Sequence, residues 1–174
     1  MAGIAVSYLV LCILPAGLAL AAISDLTRMT IPNAIPAVIL LSFFIFAPLV
    51  GLELSDIGMG IVAGIVVFVV CFSLFAANVM GGGDAKLLTA VACWYGFNQQ
   101  LLVFLVATAF LGGILTIAIL MIRAHSNTVL AMGVALPQSL TTASKIPYGI
   151  AIAVAGFMTC EYAPIVAMAM RAAG

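Results

Sequence analysis

Residues 78–88 read Asn-Val-Met-Gly-Gly-Gly-Asp-Ala-Lys-Leu-Leu, and strongly apolar sequence lies on both sides of them. Asp84 and Lys86 therefore lie at the start of a hydrophobic helix. Placing charged side chains in a membrane costs much free energy, so we first interpret these two residues as functional. Gly81 and Gly83 let the backbone approach a neighbouring segment closely. The plainer interpretation is a glycine hinge with Asp84 as the N-cap of the next helix. Capping explains Asp84, but it explains neither the glycines nor Lys86.

The composition is that of an integral membrane protein. Hydrophobic residues make up 67% of the 174 residues and charged residues only 6%, and the mean hydropathy is +1.41. No soluble domain of this size needs so apolar a surface. The formal net charge is zero and the sequence contains no basic run, which argues against nucleic acid as a partner.

Cysteine and histidine usage predicts neither a metal site nor a cofactor. The cysteines at positions 12, 71, 93 and 160 lie in apolar runs and form no Cys-x-x-Cys pair, so we interpret them as packing residues. His125 is the one histidine and has no second imidazole with which to share a metal. A Ser–His mechanism would have to use His125, and the sequence has no Gly-x-Ser-x-Gly motif. The glycines at 81–83 also lack the Gly-Lys-Ser/Thr ending of a nucleotide-binding loop.

Apolar segments predict an all-α membrane protein with six transmembrane helices in a single domain, residues 1–174. The first segment is long enough to cross a bilayer and lacks the basic start of a signal peptide. The fourth is long enough only if it begins near Gly83. In the longest connection, Arg123–Lys145, we interpret the apolar patch Val129–Leu136 as an interfacial segment. The predicted spans are residues 4–23, 32–50, 57–77, 83–97, 101–122 and 147–170.

The basic residues predict the orientation of these spans. Alternating crossings place Arg28, Lys86, Arg123 and Lys145 on one side and only Arg171 on the other. The positive-inside rule makes the first side cytoplasmic, so that both termini lie on the non-cytoplasmic side. If the fourth segment were a re-entrant hairpin, the bias would vanish.

This topology brings two acidic residues to one membrane face. Asp25 follows the first span and Asp84 begins the fourth, whereas Glu53 and Asp56 lie across the bilayer, ~30 Å away. Two carboxylates at one depth suggest an aspartic-protease pair that shares one proton. The deprotonated acid would activate water as a general base, and the protonated acid would polarise the scissile carbonyl and later protonate the leaving amine.

Three motifs at the predicted span ends resemble those of a known family. They are Asp25 followed by Ile31-Pro32-Asn33, the block Gly81-Gly82-Gly83-Asp84-x-Lys86, and Ile146-Pro147-Tyr148-Gly149. In order and position they resemble the signatures of type IV prepilin leader peptidases, the membrane aspartic proteases of the Gly-x-Gly-Asp type. The resemblance covers nearly the whole chain, and the short length is similar to that of Flp/Tad-type members.

The resemblance implies a hydrolase with Asp25 and Asp84 as its catalytic pair. Its substrates would be prepilins and pseudopilins, whose short basic leader it would cleave after a Gly at the cytoplasmic face of the bacterial inner membrane. Membrane lipids and the pilus assembly machinery would be further partners. The resemblance also implies supporting roles for other residues of the three motifs. Arg28 and Lys86 would hold substrate or lipid phosphates. The complete set of supporting residues is Arg28, Pro32, Asn33, Gly81, Gly83, Lys86, Pro147, Tyr148 and Gly149.

The resemblance also bears on a second activity. In longer members a cysteine tetrad, usually linked to zinc, accompanies an N-methyltransferase activity. This sequence has no such tetrad, so methylation is not expected.

Two other functional classes stay open at this point. An ion or proton-coupled transporter would also place acids in its spans, although those acids should cluster near the bilayer midplane. A presenilin-like intramembrane protease is the second alternative, because Ala135-Leu136-Pro137 faintly resembles the presenilin Pro-Ala-Leu-Pro motif.

Overall fold

The computed structural model describes residues 2–125 and 146–173, and the part of the chain that it describes is helical without strands. The prediction of an all-α protein is confirmed. The predicted interfacial segment Val129–Leu136 lies outside the described residues. The helices are α1 (Ala2–Arg28), α2 (Ala34–Leu49), α3 (Leu54–Ala76), α4 (Gly82–Tyr95), α5 (Gln99–Ala124), α6 (Tyr148–Thr159) and α7 (Pro164–Ala173), with a 3-10 turn (Cys160–Tyr162) between the last two.

Three helices are by themselves long and apolar enough to cross a membrane. They are α1 from Ile4 onward, α3 and α5. Helices α6 and α7 meet the same criterion only when taken together, and α2 is shorter, with 16 residues. Within the described residues there are therefore three candidate membrane spans, or four if α6 and α7 form one bent span, as expected of a multi-pass membrane protein.

Helix α1 continues past the predicted end of the first span. The prediction stopped at residue 23, whereas the helix runs to Arg28, so Asp25 lies inside its last turns. Hydropathy marks where the apolar run ends, but the backbone helix continues through the polar residues that follow, and there Thr27 Oγ1 donates to the Ile23 carbonyl at 2.7 Å. The helix ends at Met29, whose N–H donates to the Asp25 carbonyl and whose φ is 55°.

The predicted sixth span is bent rather than continuous. Helices α6 and α7 meet at 54°, so the prediction of one helix over residues 147–170 was wrong at this point. Ala163 has an extended backbone, with ψ of 128°, and the next residue, Pro164, has no N–H to continue the helical hydrogen bonds.

The short helix α4 lies at the centre of the bundle. It packs against α2, α3, α6 and α7, and its buried residues are Ala85, Leu87, Leu88 and residues 90–95. Glycines on α3 allow the close approach of the two helices, since a Cβ at Gly60 would lie 2.7 Å from the Cys93 carbonyl oxygen. Neighbouring helices surround α4, and its first turn is thereby held in a fixed place.

Polar side chains on α4 are satisfied inside this bundle. Trp94 Nε1 donates to the Ile39 carbonyl of α2 at 2.9 Å. The Tyr95 hydroxyl lies 2.7 Å from Thr159 Oγ1 on α6, and the Tyr95 ring stacks on Phe104 of α5. Because a buried hydrogen bond is costly to break, these contacts fix α4 against three neighbours.

Candidate active site

A cavity of about 870 Å³ opens at the end of the bundle where α1 and α3 end and α4 and α6 begin. Both predicted catalytic residues, Asp25 and Asp84, line it. The predicted supporting residues Gly81, Gly83, Asn33 and Tyr148 line it too. Among the described residues, the wall consists of Asp25, Met29–Ile31, Asn33, Leu74, Phe75, Asn78–Asp84, Thr116, Ile146 and Tyr148.

Asp25 is a buried residue of this cavity wall. Its side chain is buried, with 6% of the residue exposed. Its Oδ2 accepts a hydrogen bond from the backbone N–H of Gly149 at 2.7 Å. Gly149 lies in the first turn of α6, where N–H groups have no partner within the helix and favour a nearby anion.

Asp84, also on the cavity wall, lies in the first turn of α4. It is half-buried, and the helix begins after Gly81, whose backbone is extended. A Cβ at Gly81 would lie 2.7 Å from Asp84 Oδ2, so a side chain at this position would collide with the carboxylate. Gly81, one of the predicted supporting glycines, therefore leaves room for the Asp84 side chain.

Ile31 joins the two halves of the site. A Cβ at Gly83 would lie 3.1 Å from the Ile31 Cβ, and a Cβ at Gly149 would lie 3.1 Å from the Ile31 Cδ1. The first turns of α4 and α6 can therefore both approach Ile31 because each carries a glycine there. Sequence reasoning quoted Ile31 within a motif but gave it no role, because nothing in the sequence indicates which residues contact it.

The remaining supporting residues, apart from Gly149, differ in their contacts and exposure. Lys86 Nζ donates to Asn33 Oδ1 at 2.8 Å, and both residues are exposed. Arg28 and Pro32 are exposed, Pro147 is buried, and these three are not part of the cavity wall. A role for Arg28 or Lys86 in holding phosphates stays a prediction.

Tyr148 connects the cavity to α5. Its hydroxyl donates to the Thr108 carbonyl at 3.4 Å. Its ring lies directly against Gly112, where a Cβ would overlap the tyrosine. The residue next to Gly149 is thus seated in a notch on α5.

The other acidic residues near the α2–α3 connection lie elsewhere. Glu53 and Asp56 line a separate cavity of about 330 Å³ together with Arg171 of α7. This cavity lies where α2 ends and α3 begins, which is the opposite end of α3 from Phe75. Within residues 2–125 and 146–173, no three His, Cys, Asp or Glu side chains are grouped so that they could hold a metal ion.

Two carboxylates on the wall of one cavity have a definite chemical capacity. One can accept a proton from water as a general base while the other donates a proton as a general acid. Part of the wall is apolar, formed by Leu74 and Phe75 of α3 together with Val79 and Met80. A peptide with apolar side chains could therefore lie against this wall next to both acids.

Comparisons with known proteins point to one family. The model of the type IV leader peptidase family matches residues 12–117, a range that includes both Asp25 and Asp84. The chain is 29% identical over 142 residues to the prepilin leader peptidase/N-methyltransferase of Aeromonas salmonicida (strain A449), and 28% identical over 142 residues to that of Aeromonas hydrophila. Each comparison covers 77% of this chain and 42% of the relative. The chain thus spans about two-fifths of the length of these curated relatives, and no solved structure matches it significantly.

Proposed function

The chain belongs to the type IV leader peptidase family, and we propose that it is a membrane-embedded aspartic endopeptidase that removes the leader peptide of type IV prepilins and pseudopilins. One observation carries the proposal. Asp25 and Asp84, which come from different helices, line the same cavity. The resemblance of the three sequence motifs to those of prepilin peptidases supports the same activity.

In this proposal the two acids share one proton. The ionised carboxylate takes a proton from a water molecule as that water attacks the scissile carbonyl carbon. The protonated carboxyl group donates a hydrogen bond to the carbonyl oxygen and then protonates the leaving amine, so that the pair regains its single proton when the peptide bond has broken. Such sharing is typical of two carboxylates at one site, because ionising the second beside the first is disfavoured by repulsion.

The substrate would approach from within the bilayer. Leu74 and Phe75 of α3 give the cavity an apolar wall on one side, and an apolar substrate helix lying beside α3 would carry its cleavage site to the depth of Asp25 and Asp84. The basic leader would then extend towards the membrane surface, at the end of the bundle where Arg28 and Lys86 are exposed. Membrane lipids and the pilus assembly machinery are the further partners in this proposal.

The proposal includes six membrane crossings in one domain, residues 1–174, with both termini outside and the acids at the cytoplasmic face of the bacterial inner membrane. Helix α2 and the 14 residues of α4 would count as spans, and α6 with α7 as a bent sixth. At 1.5 Å per residue α4 reaches only ~21 Å, less than the ~30 Å hydrocarbon core. Burial of α4 among its neighbours supports this assignment, because its ends need not meet lipid.

We propose peptide cleavage without N-methylation. The cysteines of this chain lie apart, with Cys12 on α1, Cys71 on α3, Cys93 on α4 and Cys160 in the 3-10 turn, and they do not provide the tetrad that the family resemblance associates with methylation. The narrower assignment to Flp/Tad-type substrates stays a prediction from the sequence resemblance.

Co-expression with a candidate type IV prepilin tests this function. The prepilin should migrate faster on a gel when the chain is present, and mass spectrometry should find a new N-terminus that lacks the leader and carries no added methyl group. Cells that make the prepilin alone provide the control. A prepilin that stays unprocessed beside a well-expressed, membrane-inserted chain would contradict the proposal, and proton flux into proteoliposomes would then favour the transporter.

A further inference from the structure

The backbone N–H of Gly149 is the hydrogen-bond donor that the described residues provide to the Asp25 carboxylate. The N–H lies 2.7 Å from Oδ2, at the short end of the range of N–H···O hydrogen bonds. Gly149 follows the first residue of α6, so its N–H is not needed by the helix itself. The contact therefore joins the end of α1 to the start of α6 through one carboxylate oxygen.

A side chain at this position would crowd Asp25. A Cβ on residue 149 would lie 2.9 Å from Asp25 Oδ2, 3.0 Å from the Asp25 Cβ and 3.1 Å from the Ile31 Cδ1. The Asp25 Cβ is fixed to the α1 backbone and cannot rotate away. Any side chain at residue 149 would therefore displace the carboxylate or separate α1 from α6.

The hydrogen bond distinguishes the two oxygens of Asp25. An N–H bonds best to an ionised or carbonyl-type oxygen, because a protonated oxygen is the poorer acceptor. Oδ2 is thus occupied in either protonation state of Asp25. Oδ1 is the oxygen that remains for the cavity, since Asp25 lines that cavity and this is the one hydrogen bond that the Asp25 side chain makes to the part of the chain that the structure describes.

The first turn of α6 is itself fixed from the other side. Tyr148 lies in the notch at Gly112, and its hydroxyl reaches the Thr108 carbonyl. Residue 148 is thereby held against α5 while residue 149 holds Asp25 on α1. The direction of the Gly149 N–H is therefore set by packing on both neighbours.

We propose that Gly149 is a positioning residue for the reaction: its N–H fixes Oδ2 of Asp25, so that Oδ1 alone faces the cavity and exchanges the proton with water or substrate. This inference rests on the proposed peptidase function. It assigns to Gly149 a role that acts through Asp25, without contact between Gly149 and the substrate.

The kinetic test compares two glycine substitutions on the same helix. Gly149→Ala should lower kcat of purified protein on a purified prepilin several-fold, with KM unchanged, because the added Cβ would shift Asp25 by a few tenths of an ångström and a ~1 Å misplacement of a catalytic group costs about 10²-fold. Gly156→Ala is the matched control, because its Cβ would crowd Leu18 of α1 at 2.5 Å but lies away from Asp25. This control should retain the kcat of the unsubstituted protein.

A spectroscopic test needs no substitution at Gly149. The dipeptide Tyr-Gly occurs twice in the chain, at Tyr95-Gly96 and Tyr148-Gly149. Protein labelled with ¹³C-carbonyl tyrosine and ¹⁵N-glycine should therefore give two selected amide signals. The Gly96 N–H donates to the Ala92 carbonyl at the other end of α4 and serves as the internal reference. At alkaline pH, where Asp25 of the unsubstituted protein is ionised, Asp25→Asn should move the Gly149 proton upfield, because a neutral amide oxygen is a weaker acceptor than a carboxylate, while Gly96 stays in place.

The outcomes separate this inference from the function on which it rests. If the unsubstituted protein cleaves prepilin and Gly149→Ala does so with the same kcat, the role of Gly149 is overturned and the peptidase stands. Both amide signals moving together, or neither moving, would also overturn it. If the unsubstituted protein cleaves no prepilin, the proposed function fails, and the positioning role fails with it.

Discussion

Asn33 Oδ1 accepts a hydrogen bond from Lys86 Nζ at 2.8 Å, which ties the segment before α2 to the first turn of α4. Asn33 also lines the cavity that contains Asp84, two residues before Lys86. The sequence suggested that Lys86 holds phosphates or substrate. The structure gives it a partner within the protein, and that partner contributes to the cavity wall.

The first prediction concerns this pair. Lys86→Met and Asn33→Leu should each lower kcat/KM modestly, because either change frees the first turn of α4 that carries Asp84. The double variant should be no worse than the poorer single variant, with a coupling free energy below about 1 kcal/mol, as for exposed pairs in general. A double-mutant cycle on prepilin cleavage measures this coupling. Strictly additive losses would mean that Lys86 acts separately, for example on a lipid phosphate.

The second prediction concerns neighbouring glycines on α5. Gly112→Ala should destabilise the protein by about 1–3 kcal/mol, the usual cost of overpacking, because its Cβ would overlap Tyr148. Gly113→Ala should leave stability unchanged or slightly higher, since a Cβ there meets nothing within 4 Å. Thermal unfolding in detergent, followed by the fluorescence of Trp94, compares the two. Equal melting temperatures would argue against the seating of Tyr148 on α5.

The placement of the two acids was predictable from the sequence because of connectivity. Consecutive spans alternate in direction, so the end of the first and the start of the fourth must lie at the same face. Asp25 and Asp84 accordingly line one cavity. Their identification as the catalytic pair stays a proposal, because geometry alone does not show which acids react.

Other features depended on information that the sequence pattern lacks. Hydropathy predicted the end of the first span at residue 23, although the helix continues to Arg28, because hydropathy follows polarity and not backbone hydrogen bonds. Pro164 could have indicated the bend, because proline interrupts helical hydrogen bonds. The prediction missed it because the surrounding residues form one continuous apolar run. The contacts of Ile31 with Gly83 and Gly149 required tertiary distances, and no local pattern contains them.

The third prediction tests the topology of α5. In a protein without its native cysteines, a single cysteine replacing His125 should react with a membrane-impermeant reagent from the cytoplasmic side only. A cysteine replacing Gln99 should react only from outside. Both residues are exposed, at the two ends of α5, so each site is accessible to the reagent. Labelling of both from the same side would contradict the six crossings.

The central claim is that Asp25 and Asp84 act together, and prepilin cleavage by single Asp→Asn variants tests it most directly. Asparagine keeps the shape of aspartate but removes the carboxylate, so Asp25→Asn and Asp84→Asn should each lower cleavage by at least ~10²-fold, the usual contribution of one acid–base group, while the protein still inserts into the membrane. Glu53→Gln and Asp56→Asn, in the separate cavity with Arg171, are the matched controls and should retain full activity. An Asp84→Asn protein that cleaves prepilin at the rate of the unsubstituted protein would contradict the account.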